Sequence, residues 1–342
     1  MAAASRSAMP VRTMFGRNEL DRVVRTESKI GSGGGGVVYK AWHKRLQKYV
    51  VVKESGYGTN DDVKKRRNEL EALKNVKCVY LPQVYDFLRK GRRSYTVMEY
   101  VEGESFDKLL MRGQKFTQAQ VIMWYGELAA ALETLHRRNI CHRDIKPSNI
   151  MLTPDGDVCL IDFNAALVEG NNTRVASRSL GYASPEQYAY FESLEKARGA
   201  AGARKGQDAF KRACKDAETP EPDGDDDTVM LTRDGFRESA DKEDPGIQMP
   251  GIISLTATDT DGWKLSDIYS LGATVYHLLT GERPPAGTAD MAAIPERGQY
   301  NNDIALIIEK SMQIMPSERF ASAAELACSI RDVSVATEGN LS

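Results

Sequence analysis

The sequence is short of the features that would place it in several large classes. Its five cysteines (Cys78, Cys141, Cys159, Cys214 and Cys328) are scattered over 342 residues with no C-x-x-C pair. A disulfide or zinc framework is therefore excluded, and reduced thiols in a cytoplasmic setting are expected. No uninterrupted apolar run approaches the roughly 20 residues needed to cross a bilayer. The opening MAAASRSAMPVRTMF lacks the apolar centre of a signal peptide and reads as a flexible tail extending to about residue 24. A formal net charge of −2 supplies no field that would attract nucleic acid or a membrane surface, so neither is expected as a partner. No internal repeat is apparent. A soluble chain, large enough for two domains or one two-lobed unit, is what remains.

Glycine, by contrast, is concentrated. In IGSGGGGVVYK, Ile30 to Lys40, five glycines occupy six positions. A linker, a dinucleotide fingerprint and a loop over nucleotide phosphates all use glycine in this way, because each needs backbone freedom or close approach. Gly31, Gly33 and Gly36 satisfy G-x-G-x-x-G, but a dinucleotide loop must open a helix. Here Val37-Val38-Tyr39 follows, a strand signal. A further strand, Tyr49 to Val52, ends in Lys53. Strand, glycine turn, strand and terminal lysine suit a hairpin whose backbone N–H groups cover a triphosphate while the lysine reaches its oxygens.

The rest of the chain divides by period. Residues 23–100 read as short strands with one helix between Asn60 and Lys74, and SYTVMEYV returns to strand. Then Thr117 and Gln120 form a T-x-x-Q capping box before Val121, Trp124, Tyr125, Leu128, Leu132 and Leu135, an apolar stripe at helical spacing. A second helix is expected from Ser266 to Thr280, with Gly281 and Pro284 as stop signals. The order implies an α+β protein with a small, mostly β part followed by a larger helical one. Residues 189–260 look foreign to that plan. A basic helical stretch (Lys196, Arg198, Arg204, Lys205) leads into an acidic one with ETPEPDGDDD, whose charge and low apolar content are those of disorder.

Two further clusters carry chemistry: HRDIKPSN, His142 to Asn149, and LIDFN, Leu160 to Asn164. Phosphoryl transfer requires a carboxylate to take the acceptor's proton, a cation at the γ-phosphate and oxygen ligands for a divalent ion. Asp144, Lys146, Asn149 and Asp162 supply these types.

With these motifs in order, the sequence resembles the protein kinase superfamily, in particular the bacterial-type serine/threonine kinases. The resemblance spans about Arg25 to Val333, interrupted by the insertion, and Lys146-Pro147 is its serine/threonine form. It implies a bilobal protein kinase-like fold: N-lobe 25–98, hinge 99–103, C-lobe 104–334 and a tail 335–342. It implies ATP as phosphoryl donor and Mg²⁺ as metal, with Mn²⁺ an alternative. By similarity, Ile30, Gly31, Ser32, Gly33, Gly36, Val38 and Val51 cover the nucleotide. Lys53 holds its α- and β-phosphates and pairs with Glu69, or alternatively Glu71. Met98 is the gatekeeper, and Glu99 and Val101 offer hinge contacts to adenine. Asp144 is the general base, Lys146 neutralises the transferring phosphate, and Asn149 and Asp162 hold the metal. Arg143 beside Asp144 resembles arginines that hold an activation-loop phosphate. Thr173 and Ser177 are candidate autophosphorylation sites, with self-association as the route, and proteins are the expected substrates. His136 and His142 are expected to pack rather than titrate. Ser179 is expected to bond Asp144 and Lys146, Glu186 to pair with Arg319, and Asp267 to anchor the catalytic-loop backbone.

Three positions depart from the pattern. Asn164 stands where the family has glycine; it tolerates left-handed backbone angles and ligates no metal. Gly35 replaces an aromatic at the loop tip, implying a mobile lid. The insertion is either a spacer or a docking or autoregulatory element. A nucleotide-binding scaffold without transfer activity, and a small-molecule kinase, are the rival readings.

Overall fold

The computed structural model describes residues 19–33, 36–56, 71–90, 93–169, 177–202, 228–232, 235–236, 255–256, 259–285, 294 and 297–339. The chain forms two compact units. The first takes in 1–75 and 82–100, the second 76–81 and 101–342.

The first unit is built on one antiparallel sheet. A short helix α1 (Glu19–Val23) precedes β1 (Val24–Gly33), β2 (Gly36–His43), β3 (Lys48–Gly56), β4 (Val84–Lys90) and β5 (Arg93–Glu99), laid out in the order β1-β2-β3-β5-β4. Alternation along β2 and the β-branched run of β3 give the sheet two unlike faces. Tyr39, Ala41, Val50, Val52, Tyr95 and Val97 pack into one core together with Leu20 and Val24. Burying both of those residues ties down the end of the segment expected to be a flexible tail: among the described residues the helix starts at Glu19 and the core includes Leu20. The other face carries Val38, Val51, Lys53 and Met98. Val38 pairs directly with Lys53, and Val51 pairs with both Lys40 and Met98, so the period of two sets all four on one side. Farther along that face Trp42 and Tyr49 form a cross-strand aromatic pair, with centroids 5.0 Å apart. The predicted helix before Lys74 is seen in its last turn, 71–74; its earlier part lies outside the described residues.

The second unit is mostly helical. Residues 76–81 belong here, not to the first unit as the lobe boundaries implied; the carbonyl of Tyr80 accepts Leu160 N–H at 2.9 Å, and Val76 and Leu81 are buried. Next come β6 (Glu104–Ser105), α2 (Phe106–Met111) and α3 (Gln118–His136). The capping box forms as expected: Gln120 N–H donates to Thr117 Oγ1 at 3.3 Å, and the Gln120 side chain returns to the Thr117 N–H at 3.0 Å. All six stripe residues of α3 are buried. Short strands follow: β7 (Ile140–Cys141), β8 (Ile150–Leu152), β9 (Val158–Leu160), β10 (Leu167–Val168) and β11 (Ser177–Ser179). β6, β8 and β9 make one small sheet, and β7 pairs with β10. These pairings fix both ends of the loop 142–149.

Four expectations about the insertion, the helix after it and the C-terminus need correction. The basic stretch continues helix α4 (Pro185–Gly202) through Lys196 and Arg198, with Arg204 and Lys205 outside the described residues, but β12 (Thr228–Thr232) and β13 (Gly235–Phe236) lie within the stretch read as disordered, and β12 pairs with β11. The cause is local: TVMLT is a β-rich run inside the acidic surroundings; ETPEPDGDDD itself lies outside the described residues. Leu255 is buried in a core with Cys141, Tyr190, Phe191 and Trp263, so the insertion ends before residue 260. Helix α5 (Thr260–Thr280) starts earlier than Ser266 because Asp259 caps it, accepting Gly262 N–H at 3.0 Å. It stops at Gly281 as expected, in the left-handed conformation at φ 75°. The chain closes with α6 (Asn302–Ser311) and α7 (Ala323–Gly339), the last overrunning the tail expected from residue 335. At Gly272 any Cβ would stand 2.7 Å from Cβ of Ser311, so glycine there sets how closely α5 and α6 approach.

Candidate active site

In the second unit the loop between β7 and β8 is hung on a single carboxylate. Asp267 of α5 accepts the N–H of His142 at 2.8 Å and of Arg143 at 2.7 Å, and its Oδ2 lies 3.0 Å from Nε2 of His136. Asp267 and His142 are wholly buried. The expected anchor is therefore present, and both histidines are held in packing roles. Cys141 beside them donates to Thr260 O at 3.3 Å; burial, then the Asp267 charge, push its thiol pKa up, so it stays protonated.

Arg143 adopts φ 62°. That strained angle turns the chain so that Asp144 leaves the loop toward Asn149 and Ser179. Asn149 donates from Nδ2 to the Asp144 backbone oxygen at 2.8 Å and to Oδ2 at 2.9 Å. Lys146 Nζ lies 3.6 Å from the same Oδ2, and Ser179 Oγ donates to Oδ1 at 2.8 Å. Both oxygens of Asp144 are thus oriented by neighbours, and Ser179 makes the Asp144 half of its expected contacts.

The segment after β9 is latched to this loop. Ile161 N–H donates to Asn149 O at 2.8 Å, His142 Nε2 meets Ile161 O at 3.1 Å, and the rings of His142 and Phe163 lie 5.4 Å apart. Asp162 follows at φ 65°, with Oδ1 accepting Asn164 N–H at 3.0 Å and Oδ2 accepting Asn164 Nδ2 at 3.3 Å. Asn164 in the glycine position thus donates twice to the aspartate. Because the amide nitrogen of Asn149 is spent on Asp144, its carbonyl oxygen is the atom left for a cation. With the Asp162 carboxylate this makes a pair of hard oxygen donors, suited to Mg²⁺, which keeps water and phosphate ligands besides. Among the described residues no cluster of three or more His, Cys, Asp or Glu could hold a metal ion, so a dedicated all-protein cage is not what these donors form.

Other candidates take different parts. The Arg143 guanidinium, which by resemblance holds an activation-loop phosphate, is buried: its Nε donates to Ala165 O at 2.5 Å and its centre stacks 5.0 Å from the Trp263 ring. Ser177 lies in β11, while Thr173 is outside the described residues. Glu186 receives both terminal nitrogens of Arg319, at 2.6 and 2.8 Å, with neither side chain more than 1% exposed. Val101 belongs to this unit.

In the first unit, Gly31 and Gly33 sit at the end of β1 opposite Val38 and Gly36, with Ser32 opposite Val37; Ile30 falls at a register shift. Gly36 has φ 119°, and a Cβ there would stand 1.9 Å from the Glu54 carbonyl oxygen, so only glycine fits. Lys53 is 9% exposed. Its expected partner Glu69, and Gly35 at the loop tip, lie outside the described residues. Glu71 is helical and meets Lys74 at 3.2 Å. Glu99 donates its N–H to Gln83 O at 2.9 Å.

Sequence reasoning passed over Gln187, Ser184, Ser266 and Trp263. Gln187 stands beside Glu186 in the run SPEQ, Ser184 to Gln187, but nothing local says what its amide would touch.

The protein kinase domain model matches residues 24–197, just over half of the 342. A probable serine/threonine-protein kinase of Clostridium acetobutylicum is 35% identical over 170 residues, 48% of this chain and 26% of its own. Serine/threonine-protein kinase PknL of Mycobacterium tuberculosis is 33% identical over 49% of this chain and 44% of its own. Serine/threonine-protein kinase Nek1 of Mus musculus is 32% identical over 49% of this chain and 14% of its own. The match therefore spans less than half the length of each of these relatives. Glycine hairpin, β3 lysine, HRD-x-K-P-x-N loop and D-F-N turn all fall inside the matched residues, and the chain belongs to the protein kinase family.

Proposed function

We propose that the chain transfers the γ-phosphoryl group of ATP to serine or threonine hydroxyls of proteins. The observation that carries this reading is the arrangement around Asp144, with Ser179 on Oδ1 and Asn149 and Lys146 on Oδ2. As the acceptor oxygen bonds to the γ-phosphorus, the bond to the β–γ bridging oxygen breaks and ADP leaves. Asp144 takes the acceptor's proton, and Lys146 offsets charge on the moving phosphoryl group. Lys53 grips the α- and β-phosphates. The glycine hairpin (Ile30, Gly31, Ser32, Gly33 and Gly36) covers the triphosphate; Val38, Val51, Met98, Glu99 and Val101 serve adenine. Asn149 and Asp162 would hold Mg²⁺, or Mn²⁺, which supplies positive charge to the phosphates.

Lys146-Pro147 and the kinase names of the relatives support serine/threonine acceptors on proteins. Self-association for autophosphorylation and a cytoplasmic setting belong to the same proposal. Among the described residues no helix is long and apolar enough to cross a membrane. Incubating the chain with labelled ATP and a generic protein substrate, beside Asp144→Ala, tests it: label on serine and threonine is expected only with the unaltered chain. Nucleotide binding without label would favour the scaffold, and label confined to small hydroxyl compounds the small-molecule kinase.

A further inference from the structure

Both peptide groups of Arg143 are gripped by side chains from other elements. Its N–H donates to Asp267 Oδ1 of α5 at 2.7 Å, and its carbonyl accepts from Gln187 Nε2 of α4 at 2.8 Å. That carbonyl belongs to the peptide leading into Asp144, so the grip of Gln187 fixes the plane from which the Asp144 side chain departs. The need for a grip is visible at Arg143, which holds φ 62° although it is not glycine.

Gln187 is itself fixed. Its Oε1 accepts from Ser266 Oγ at 3.4 Å, and its N–H donates to Ser184 Oγ at 3.3 Å. Ser184 and Ser266 share a hydroxyl–hydroxyl bond of 2.8 Å. Gln187, Ser184 and Ser266 are each no more than 1% exposed. Orienting Oε1 toward a donor leaves Nε2 facing the Arg143 carbonyl, so the serines set the sense of the amide. Glu186, the preceding residue, pairs with Arg319; adjacent side chains of α4 thus serve two separate tasks.

We infer that Gln187 is a positioning residue for phosphoryl transfer, holding the left-handed turn at Arg143 so that Asp144 meets Ser179 and Asn149. The inference rests on the proposed catalytic role of Asp144. An amide is required: methionine fills the space without donating, and a glutamate would set an acceptor against a carbonyl. The distinction from mere packing lies in what moves. A carboxylate displaced by about 1 Å costs on the order of 10²-fold in rate, while the nucleotide contacts assigned above do not involve Gln187.

The test compares the unaltered full chain with Gln187→Met, Gln187→Glu and Ser266→Ala. It measures kcat, the KM for ATP, Tm and a crystal structure of Gln187→Met. Expected for Gln187→Met is a fall in kcat of about 10- to 100-fold, with the KM for ATP within about twofold. Its crystal structure should show Arg143 relaxed from positive φ and Asp144 withdrawn from Ser179 and Asn149. Ser266→Ala, which touches Gln187 but not the Arg143 carbonyl, should lose less. Unchanged kcat in a folded Gln187→Met, or kcat, KM and Tm all falling together, would overturn the inference. So would Asp144 still seated on Ser179 and Asn149 in that crystal structure. If the unaltered chain transfers no phosphate, the kinase reading fails, and the crystal structure alone still decides whether Gln187 positions Asp144.

Discussion

Asp267 and Arg143, 124 positions apart in sequence, are joined by a carboxylate-to-amide hydrogen bond of 2.7 Å. The same carboxylate takes the N–H of His142 at 2.8 Å, so one buried acid spans two successive amides. Asp267→Asn keeps the shape but sets an NH₂ group against a backbone N–H. A loss of about 1–3 kcal/mol is expected, the cost of one buried donor left unmet. Urea denaturation of the two proteins measures it, and equal midpoints would count against the anchor.

The Glu186–Arg319 pair makes a sharper prediction. Arg319→Met strands a buried carboxylate and should destabilise by about 3–5 kcal/mol. Adding Glu186→Met should restore only part of that. Arg319 also donates to the carbonyls of Gln313, Leu265 and Ile314, and these stay unmet in the double variant. Thermal unfolding of the unaltered chain and the two variants checks the order.

Acid stability should depend on His277. Burial, then the Arg283 charge, lower its pKa to about 4, and its Nδ1 lies 2.7 Å from the Tyr182 hydroxyl. The unfolded chain, with an ordinary pKa of about 6.5, therefore binds a proton that the folded chain refuses. Stability from this source is complete above about pH 6.5, falls as pH drops toward 4, and levels below that. His277→Gln should flatten Tm against pH in this window; an unaltered slope would contradict the assignment.

Gly36→Ala tests the hairpin. With φ 119° and a backbone oxygen 1.9 Å from the added Cβ, β1 and β2 must shift away from β3. A cost of about 1–3 kcal/mol is expected, together with weaker ATP binding by calorimetry. Unchanged affinity would separate the hairpin from the nucleotide.

Much of this was legible because it is local. The β-branched and aromatic cluster Val37-Val38-Tyr39 marked β2, a capping box marked the start of α3, and each chemical motif of the second unit is a contiguous run. Glu186–Arg319 and Asp267 with the loop could be matched by resemblance, although no local signal joins them. What escaped depends on distant partners. Nothing in the sequence near Arg143 says that Trp263, from beyond the insertion, stacks on it. Leu20 looks like part of a tail until Tyr39 and Val97 supply the core it joins. Gln187 shows no role in sequence, because its partners Arg143 and Ser266 lie 44 and 79 positions away.

The most direct measurement is transfer of ³²P from γ-labelled ATP, followed by phosphoamino-acid analysis, for the unaltered chain and Asp144→Asn with nucleotide binding measured in parallel. The predicted result is label on serine or threonine with the unaltered chain, a fall of about 10²- to 10⁴-fold in Asp144→Asn, and nucleotide affinity alike in both. Equal labelling by the two proteins, or nucleotide bound by the unaltered chain with no label transferred, would contradict it.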